Sequence, residues 1–271
     1  MERHRRGKGK QALLGNHQKC WVWGRNAVLE CLAAGRWSVL DLHLSSALPP
    51  AALESATALA RQAGLVARVE PPEELVRHCH SAEHQGYLAR MAEYPYATEA
   101  VVLREAGPAA AFAILAGVQD PFNFGAMVRS AEVFGLNGVF IGEHGQVGVT
   151  SMVARSSAGA VNRVPIVRVP VLEELAARLA KQGVRLVAAS EKADDPLTAC
   201  DFRGPVAVVI GNEGVGIRPA LLAACHATVT IPQSGRIGSL NAAVAASIFF
   251  YEICRQRCAS DLSLDSGAGR V

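Results

Sequence analysis

Three polar stretches of the sequence contain the residue types that could do chemistry. They read DPFNFGAMVRSAEVFG (120–135), GNEGVGI (211–217) and IPQSGRIGSLN (231–241). A guanidinium can bind a phosphate through its planar fork, amide and carboxylate groups can orient a substrate, and glycine-rich backbone can approach a small molecule closely. The side chains with this potential are Asn123, Arg129, Glu213, Ser239 and Asn241.

Each of these signals also has a plain structural explanation. Ser239 or Asn241 could be the N-cap of the helix that follows, Arg129 could be a surface or ion-pair residue, and a glycine-rich loop is often only a tight turn. What distinguishes them is their position, because each stretch follows a predicted strand.

The strands of this larger unit are continuous apolar runs at 112–118, 138–142, 164–169, 184–189, 206–210 and 227–231. Helices are predicted at 126–134, at 172–182 and from Ala242 onward, where the helix is apolar on nearly every face. Buried strands that alternate with helices predict a largely parallel α/β sheet covered on both faces. Such sheets bind ligands beyond the carboxyl ends of their strands, so the three stretches should meet there. Gly125 is expected to begin the first helix and to place Arg129 about one turn into it.

A smaller α/β unit precedes this one. Strands are predicted at 21–23, 39–44, 65–69 and 87–91, with helices at 25–34, at 50–62 and after Pro71 and Pro72. The predicted organisation is a basic arm (1–19), an N-terminal domain (20–92), a linker rich in Pro and Gly signals (93–108), the larger domain (109–257) and a polar, disordered tail (258–271).

Composition excludes several classes of protein. Half of the 271 residues are apolar and 19% are charged, which is typical of a globular protein. The net charge of +3 is concentrated at the N-terminus, where MERHRRGKGK holds five basic residues and one acid. Nucleic-acid binding would therefore depend on local patches, and the arm could also be only a solvated terminus. With no secretory pattern and no uninterrupted apolar span, the expected location is the cytoplasm.

The seven cysteines are scattered and odd in number, which predicts reduced thiols and no disulfide framework. A cluster of His78, Cys79, His80 and His84 is the main candidate for a metal site. Zinc sites usually draw their ligands from two separated pairs, so no metal is expected.

Common catalytic motifs are absent. The sequence has no GxxxxGK[ST], GxSxG, HExxH or CxxC, and its glycine-rich loop comes several strands later than in a dinucleotide-binding domain. These absences disfavour P-loop, α/β-hydrolase, zinc-protease and thiol-redox chemistry.

The trio NFGAMVRSAEVFG, VVIGNEGVGI and IPQSGRIGSLNAAVAASI resembles the three motifs of the SpoU (TrmH) family of RNA ribose 2′-O-methyltransferases. In the first unit, VWGRNAVLECLAAG and HQGYLARM resemble the N-terminal domain of the branch that methylates guanosine in large-subunit ribosomal RNA. The resemblance implies an N-terminal RNA-binding domain like a small ribosomal protein, and a C-terminal parallel-sheet (SPOUT) methyltransferase domain with a trefoil knot. General topology rules would have favoured an unknotted sheet.

The resemblance also implies S-adenosylmethionine as cofactor, RNA as substrate and a homodimer with the last helix in its interface. The matching cofactor positions are Gly211, Asn212, Gly214, Ile231, Pro232, Ser239 and Leu240, and the matching catalytic positions are Asn123, Arg129, Glu213, Ser239 and Asn241. The family often assigns the Arg129 position as a base, but a guanidinium with a pKa above about 12 is a poor proton acceptor. We expect Arg129 to hold the adjacent phosphate and to stabilise the developing alkoxide. Glu213 and Asn241 are expected to fix the loops and the substrate.

Alternatives remain within the resemblance. The segment EHGQVGVT (143–150) departs from the family pattern, which bears on the choice of target. A tRNA substrate and a non-catalytic RNA-binding protein of the same fold are the competing functions.

Overall fold

The computed structural model describes the backbone of residues 20–265 and the side chains of residues 20–258. The predicted basic arm (1–19) and the end of the predicted tail (266–271) lie outside the described residues. The chain divides into two compact units, with the boundary between Pro95 and Tyr96.

The first unit is a four-stranded sheet with three helices in its described part. In chain order these elements are β1 (Trp21–Trp23), α1 (Arg25–Ala34), β2 (Val39–Ser45), α2 (Pro50–Gln62), β3 (Ala67–Glu70), α3 (Pro72–Cys79) and β4 (Tyr87–Met91). The strand order is β1-β4-β2-β3, in which only β2 and β3 run parallel. The alternating α/β pattern predicted for this unit is confirmed.

Local sequence explains these boundaries. α2 and α3 each begin at the second residue of a Pro-Pro pair, where the missing N–H costs nothing. α1 ends at Gly35, whose φ of 61° is a left-handed conformation that glycine adopts without strain. Trp37, Leu42, Leu88 and Met91 are among the fully buried side chains of the unit.

The second unit is built on a six-stranded parallel sheet. Its elements are α4 (Glu99–Glu105), β5 (Ala111–Ala116), α5 (Pro121–Val133), β6 (Gly138–Gly142), α6 (Ser151–Ser156), β7 (Ile166–Val169), α7 (Leu172–Lys181), β8 (Arg185–Ala189), β9 (Val206–Gly211), α8 (Pro219–Ala223), β10 (Ala227–Val229) and α9 (Ala242–Asp265). The strand order is β10-β8-β9-β5-β6-β7 and every pairing is parallel. All six residues of β5 are buried, as expected of a central strand covered on both faces.

The start of α5 differs from its predicted position at Gly125. The carboxylate of Asp120 accepts a hydrogen bond from the Phe122 backbone N–H over 2.7 Å, and Pro121 occupies the first helical position. The Asp-Pro pair therefore caps the helix, which begins before the predicted start. Arg129 consequently lies more than two turns into α5, and the prediction of one turn is wrong.

The segment predicted as a linker (93–108) contains α4. Val102 of this helix is 2% exposed and belongs to the same core cluster as Phe112 and Phe140. The proline and glycine signals lie at the two ends of the segment, and the seven residues of α4 between them contain neither. Apolar packing therefore makes α4 part of the second unit.

The last helix continues beyond the predicted domain end at residue 257, so the start of the predicted disordered tail is helical to Asp265. Arg257 attaches this helix to the unit by donating to the backbone oxygens of Ala109 and Gly204, at 2.7 and 3.0 Å, and to those of Ala110 and Phe202. Among the described residues, no helix is both long and apolar enough to cross a membrane.

Candidate active site

A cavity of about 620 Å³ lies at the carboxyl ends of β8, β9 and β10. The loops that follow these three strands and the first turns of α9 form its walls. Residues from the sequence-predicted site that line it are Gly211, Asn212, Glu213, Gly214, Ile231, Ser239, Leu240 and Asn241. Parallel strands thus bring two of the three polar stretches to one place.

The loop after β9 is shaped by Asn212. Its Nδ2 donates to the Gly117 backbone oxygen over 2.7 Å, and its Oδ1 accepts from the N–H groups of Gly214 and Val215 at 2.8 and 3.1 Å. Backbone hydrogen bonds also join Asn212 and Gly216 in both directions. The Asn212 side chain therefore fixes the loop against the end of β5. It lines the cavity and also determines the shape of the cavity wall that this loop forms.

Gly211 allows the same loop to fold back on itself. A Cβ at this position would lie 2.5 Å from the Gly216 carbonyl carbon and 2.6 Å from the Ile217 nitrogen. These are backbone atoms, which cannot move aside as the end of a flexible side chain can. A glycine is therefore required at residue 211 by close approach of two backbone segments.

Asn241 is the N-cap of α9. Its Oδ1 accepts from the backbone N–H groups of Ala243 and Val244 at 2.9 and 3.2 Å, so the structural explanation considered for this residue is correct. Its Nδ2 remains available and donates to the Asn123 Oδ1 over 3.0 Å. One side chain therefore both caps the helix and joins the polar site. Ser239 does not cap α9, and it lies exposed at the cavity wall.

The first polar stretch joins the site through Asn123. Its Nδ2 donates to Glu213 Oε1 over 2.6 Å, while its Oδ1 accepts from Asn241. Asn123 does not line the cavity itself, but it connects the loop after β9 with the start of α9. The three predicted polar stretches thus meet in one chain of hydrogen bonds at the cavity edge.

Arg129 and Pro232 lie apart from this arrangement. Arg129 is exposed on α5 and does not line the cavity, and the described part of the chain shows no hydrogen bond or ion pair to it. Pro232 is also absent from the cavity wall, although its neighbours Ile231 and Gln233 form part of it.

The loop after β8 also lines the cavity, and the sequence analysis did not identify it. Its lining residues are Ser190, Glu191 and Lys192, and Gln233 in the loop after β10 is a further lining residue that was missed. Position was the available signal, because the rule that placed the other loops applies equally to the end of β8.

The histidine and cysteine cluster that was considered as a metal candidate, His78 to His84, does not converge on one point. His84 Nδ1 accepts a hydrogen bond from the Gly86 backbone N–H, and Cys79 Sγ lies 3.4 Å from the Ser81 backbone oxygen. His80 is the left-handed C-cap of α3. All seven cysteines are free of disulfides, as predicted.

A parallel sheet whose strand-end loops enclose a cavity of this size, one of them held by close glycine packing, is typical of an α/β enzyme domain that binds a nucleotide-like cofactor. Comparison with known proteins specifies the class. A family profile described as "SpoU rRNA Methylase family" matches residues 110–251, and one described as "RNA 2′-O ribose methyltransferase substrate binding" matches residues 21–97.

Relatives align over nearly the whole chain. An uncharacterized tRNA/rRNA methyltransferase of Mycolicibacterium vanbaalenii is 35% identical over 260 residues, which cover 93% of this chain and 83% of the relative. YacO of Bacillus subtilis, assigned to the TrmH family of tRNA/rRNA methyltransferases, is 30% identical and is covered to 98% of its length by 89% of this chain. The crystal structure of the SpoU methyltransferase AviRb from Streptomyces viridochromogenes in complex with AdoMet aligns with a TM-score of 0.76 and 27% identity, covering 92% of this chain and 96% of AviRb.

The chain belongs to the SpoU (TrmH) family of tRNA/rRNA methyltransferases. It is an RNA 2′-O-ribose methyltransferase with an N-terminal substrate-binding domain.

Proposed function

We propose that this protein methylates the ribose 2′-hydroxyl of a guanosine in large-subunit ribosomal RNA, in the cytoplasm, with S-adenosylmethionine as methyl donor. The observation that best supports this reaction is that Asn123, Glu213 and Asn241 are joined by hydrogen bonds at the edge of the cavity. The N-terminal domain matches a family profile for substrate binding. A separate domain for binding the substrate favours a large RNA, such as a ribosomal segment, as the substrate.

The cavity fits S-adenosylmethionine by size and chemistry. Its volume of about 620 Å³ lies within the usual range of about 300–1,000 Å³ for small-molecule sites. Ile210, Ile217, Leu222 and Phe249 supply apolar surface, and the glycine-rich loop supplies backbone polar groups. We assign Gly211, Asn212, Gly214, Ile231, Ser239 and Leu240 to the binding of this cofactor, with Pro232 acting only through the path of its loop.

When bound, S-adenosylmethionine supplies an electrophilic methyl group on its sulfonium sulfur. The task of the protein is then alignment and charge stabilisation at the attacking 2′-oxygen. Glu213 and Asn241 are already held by Asn123, so these side chains position the loops and the ribose. No described residue pairs with the Arg129 guanidinium, which can bind the neighbouring RNA phosphate and stabilise negative charge on the 2′-oxygen.

Arg129 lies on a face of α5 that also exposes large apolar side chains, and this face could pack against a second copy of the chain. Phe122 and Val133, which lie seven and four residues away on the same face of α5, are 59% and 63% exposed. On α9, Val244 and Tyr251 are 48% and 51% exposed. The two helices pack together, with Ser130 Oγ and Ser247 Oγ at 2.7 Å. Large apolar side chains grouped on two packed helices are typical of an interface.

We therefore propose a homodimer formed through α5 and α9, in which Arg129 reaches the substrate bound by the partner subunit. Its test is light scattering of Val133→Glu, with Val171→Glu as control, because Val171 is an exposed valine outside both helices. The proposal expects a dimer for the wild type and the control, and a monomer for Val133→Glu. A monomeric wild-type protein would overturn it.

The trefoil knot of the family fold is also proposed for this chain. The loops 211–217 and 231–241 line the same cavity, which supports this proposal.

The substrate is tested by nucleoside mass mapping. Large-subunit ribosomal RNA and bulk tRNA are each incubated with the purified protein and isotopically labelled S-adenosylmethionine. Labelled 2′-O-methylguanosine in the ribosomal RNA is the expected product. Label confined to tRNA would overturn the proposed substrate and keep the reaction. Cofactor binding without label in either RNA would indicate that an assembly intermediate is the substrate, whereas no cofactor binding at all would favour a non-catalytic RNA-binding protein.

A further inference from the structure

Three side chains in the first unit, outside the proposed catalytic site, bring metal-binding atoms together. His43 lies on β2, Glu70 ends β3, and His78 lies in the last turn of α3. One ligand atom of each residue lies within 4.8 Å of the other two. His43 Nδ1 is 2.8 Å from Glu70 Oε2, and His78 Nε2 is 4.0 Å from the same oxygen. The candidate cluster considered from the sequence shares only His78 with this group.

The sheet holds two of these residues in place. β2 and β3 are paired in parallel, with His43 opposite Arg68 and Ser45 opposite Glu70. Side chains alternate along a strand, so residues 43 and 45 lie next to each other on one face of β2. Glu70, opposite Ser45, is therefore a diagonal neighbour of His43. The His43 residue is only 2% exposed, so its imidazole cannot swing into solvent.

Trp21 closes one side of the group. Its ring centroid lies 5.4 Å from that of His43 in an edge-to-face arrangement and 4.9 Å from that of His78. The Glu70 and His78 side chains are 26% and 37% exposed, so the other side is open to solvent. Because one side is closed by Trp21 and the other is open to solvent, an ion can enter from solvent and bind to the three side chains.

The chemistry of the three groups matches a transition metal. Two imidazole nitrogens and one carboxylate oxygen form a ligand set known for Zn²⁺, with one position left for water. Ligands about 2.1 Å from a tetrahedral ion lie roughly 3.4 Å from one another. The separations of 2.8 and 4.0 Å from Glu70 Oε2 to the two histidine nitrogens lie on either side of that value, so a small movement of the His78 side chain would close the site.

We propose that His43, Glu70 and His78 form a site for a divalent first-row transition metal, with Zn²⁺ the preferred ion, that links β2, β3 and α3 of the N-terminal domain. Binding replaces the hydrogen bond between His43 Nδ1 and Glu70 Oε2 with two metal bonds. The ion stabilises the substrate-binding domain and takes no part in methyl transfer.

The test measures zinc on the full-length protein, purified without a histidine tag and stripped with chelator. Equilibrium dialysis against Zn²⁺ alone, with metal analysis of the protein, gives stoichiometry and affinity. The expected result is one ion per chain, with affinity reduced at least about tenfold in His78→Ala and in Glu70→Gln. The Co²⁺-loaded protein should show the visible absorption of a tetrahedral site, and zinc should raise the thermal midpoint of the wild type but not of the two variants.

Two controls separate this site from other ligands. His80→Asn alters a neighbouring histidine outside the cluster at a left-handed position that asparagine tolerates, and it should bind zinc as the wild type does. The double variant Cys254→Ser, Cys258→Ser removes a pair of thiols 3.8 Å apart on α9, and it should also bind normally. Absence of stoichiometric zinc, binding unchanged in His78→Ala, or binding lost only with the thiols would each overturn the proposal.

Discussion

Asn123 donates a hydrogen bond to Glu213 over 2.6 Å, although 90 residues separate them in the sequence. The bond joins the first turn of α5 to the glycine-rich loop after β9. Because Asn123 also accepts from Asn241, its amide is oriented by two different partners. An amide suits this position because it offers both a donor and an acceptor, which a carboxylate of the same shape does not.

We expect Asn123→Asp to lower kcat/KM for methyl transfer by about 10- to 100-fold, because it removes a hydrogen bond to a charged group and places two carboxylates together. Adding Glu213→Gln restores a donor opposite the new carboxylate. In a double-mutant cycle on cofactor affinity and thermal stability, the combined variant should be better than the sum of the two single changes. Strict additivity would show that the contact does not couple these residues.

Gly211→Ala should weaken the binding of S-adenosylmethionine by at least about tenfold, because the added methyl group meets backbone atoms and must displace the 211–217 loop. Calorimetric titration of the cofactor measures the effect. Gly204→Ala is the matched control, since a Cβ there meets no atom within 4 Å and the residue lies outside the cavity. Equal affinities for the two variants would contradict the role assigned to Gly211.

Arg257 offers a prediction about stability. Its guanidinium donates to four backbone oxygens at the start of β5 and before β9, groups that would lose their charged partner in Arg257→Ala. We expect a loss of about 2 kcal/mol in the free energy of unfolding, which corresponds to a fall of about 4–8 °C in Tm for a unit of this size. Thermal unfolding followed by circular dichroism provides the measurement.

Arg203→Ala is the control for Arg257. Arg203 forms an ion pair with Asp201 in which both side chains are mostly exposed, and a pair of this kind contributes little to stability. If the two variants lost equal stability, the contacts of Arg257 with the strand ends would not be what stabilises the helix.

Periodicity was sufficient to predict most of the sheet. Continuous apolar runs fixed β6 at both ends and β9 to within one residue, because a strand buried on both faces leaves a clear signal. The predicted start of α5 was wrong for a local reason. Asp-Pro is compatible with a turn and with a capped helix, and the choice depends on whether the chain beyond can pack as a helix.

Pairwise contacts in the site were beyond the sequence rules. The carboxyl-edge rule placed the three polar stretches together, but it could not identify Asn123 as the link between Glu213 and Asn241. Nor could it show that Arg129 lies away from the cavity, since that depends on where α5 begins and on which face is buried. The helix inside the predicted linker was missed because its stability comes from packing of Val102 in the core.

Arg129 provides the most direct test of the proposed chemistry. Arg129→Lys retains the positive charge and loses the planar fork that binds a phosphate through two hydrogen bonds. We expect kcat to fall by about 10- to 100-fold, with the dissociation constant of S-adenosylmethionine unchanged because the residue does not line the cavity. Arg203→Lys, at an exposed arginine outside the site, should leave both quantities unchanged. Near-normal turnover of Arg129→Lys would show that charge alone is sufficient. A rate that instead rose with pH through the titration range of the introduced lysine would indicate a base at this position, because lysine can lose its proton where arginine cannot.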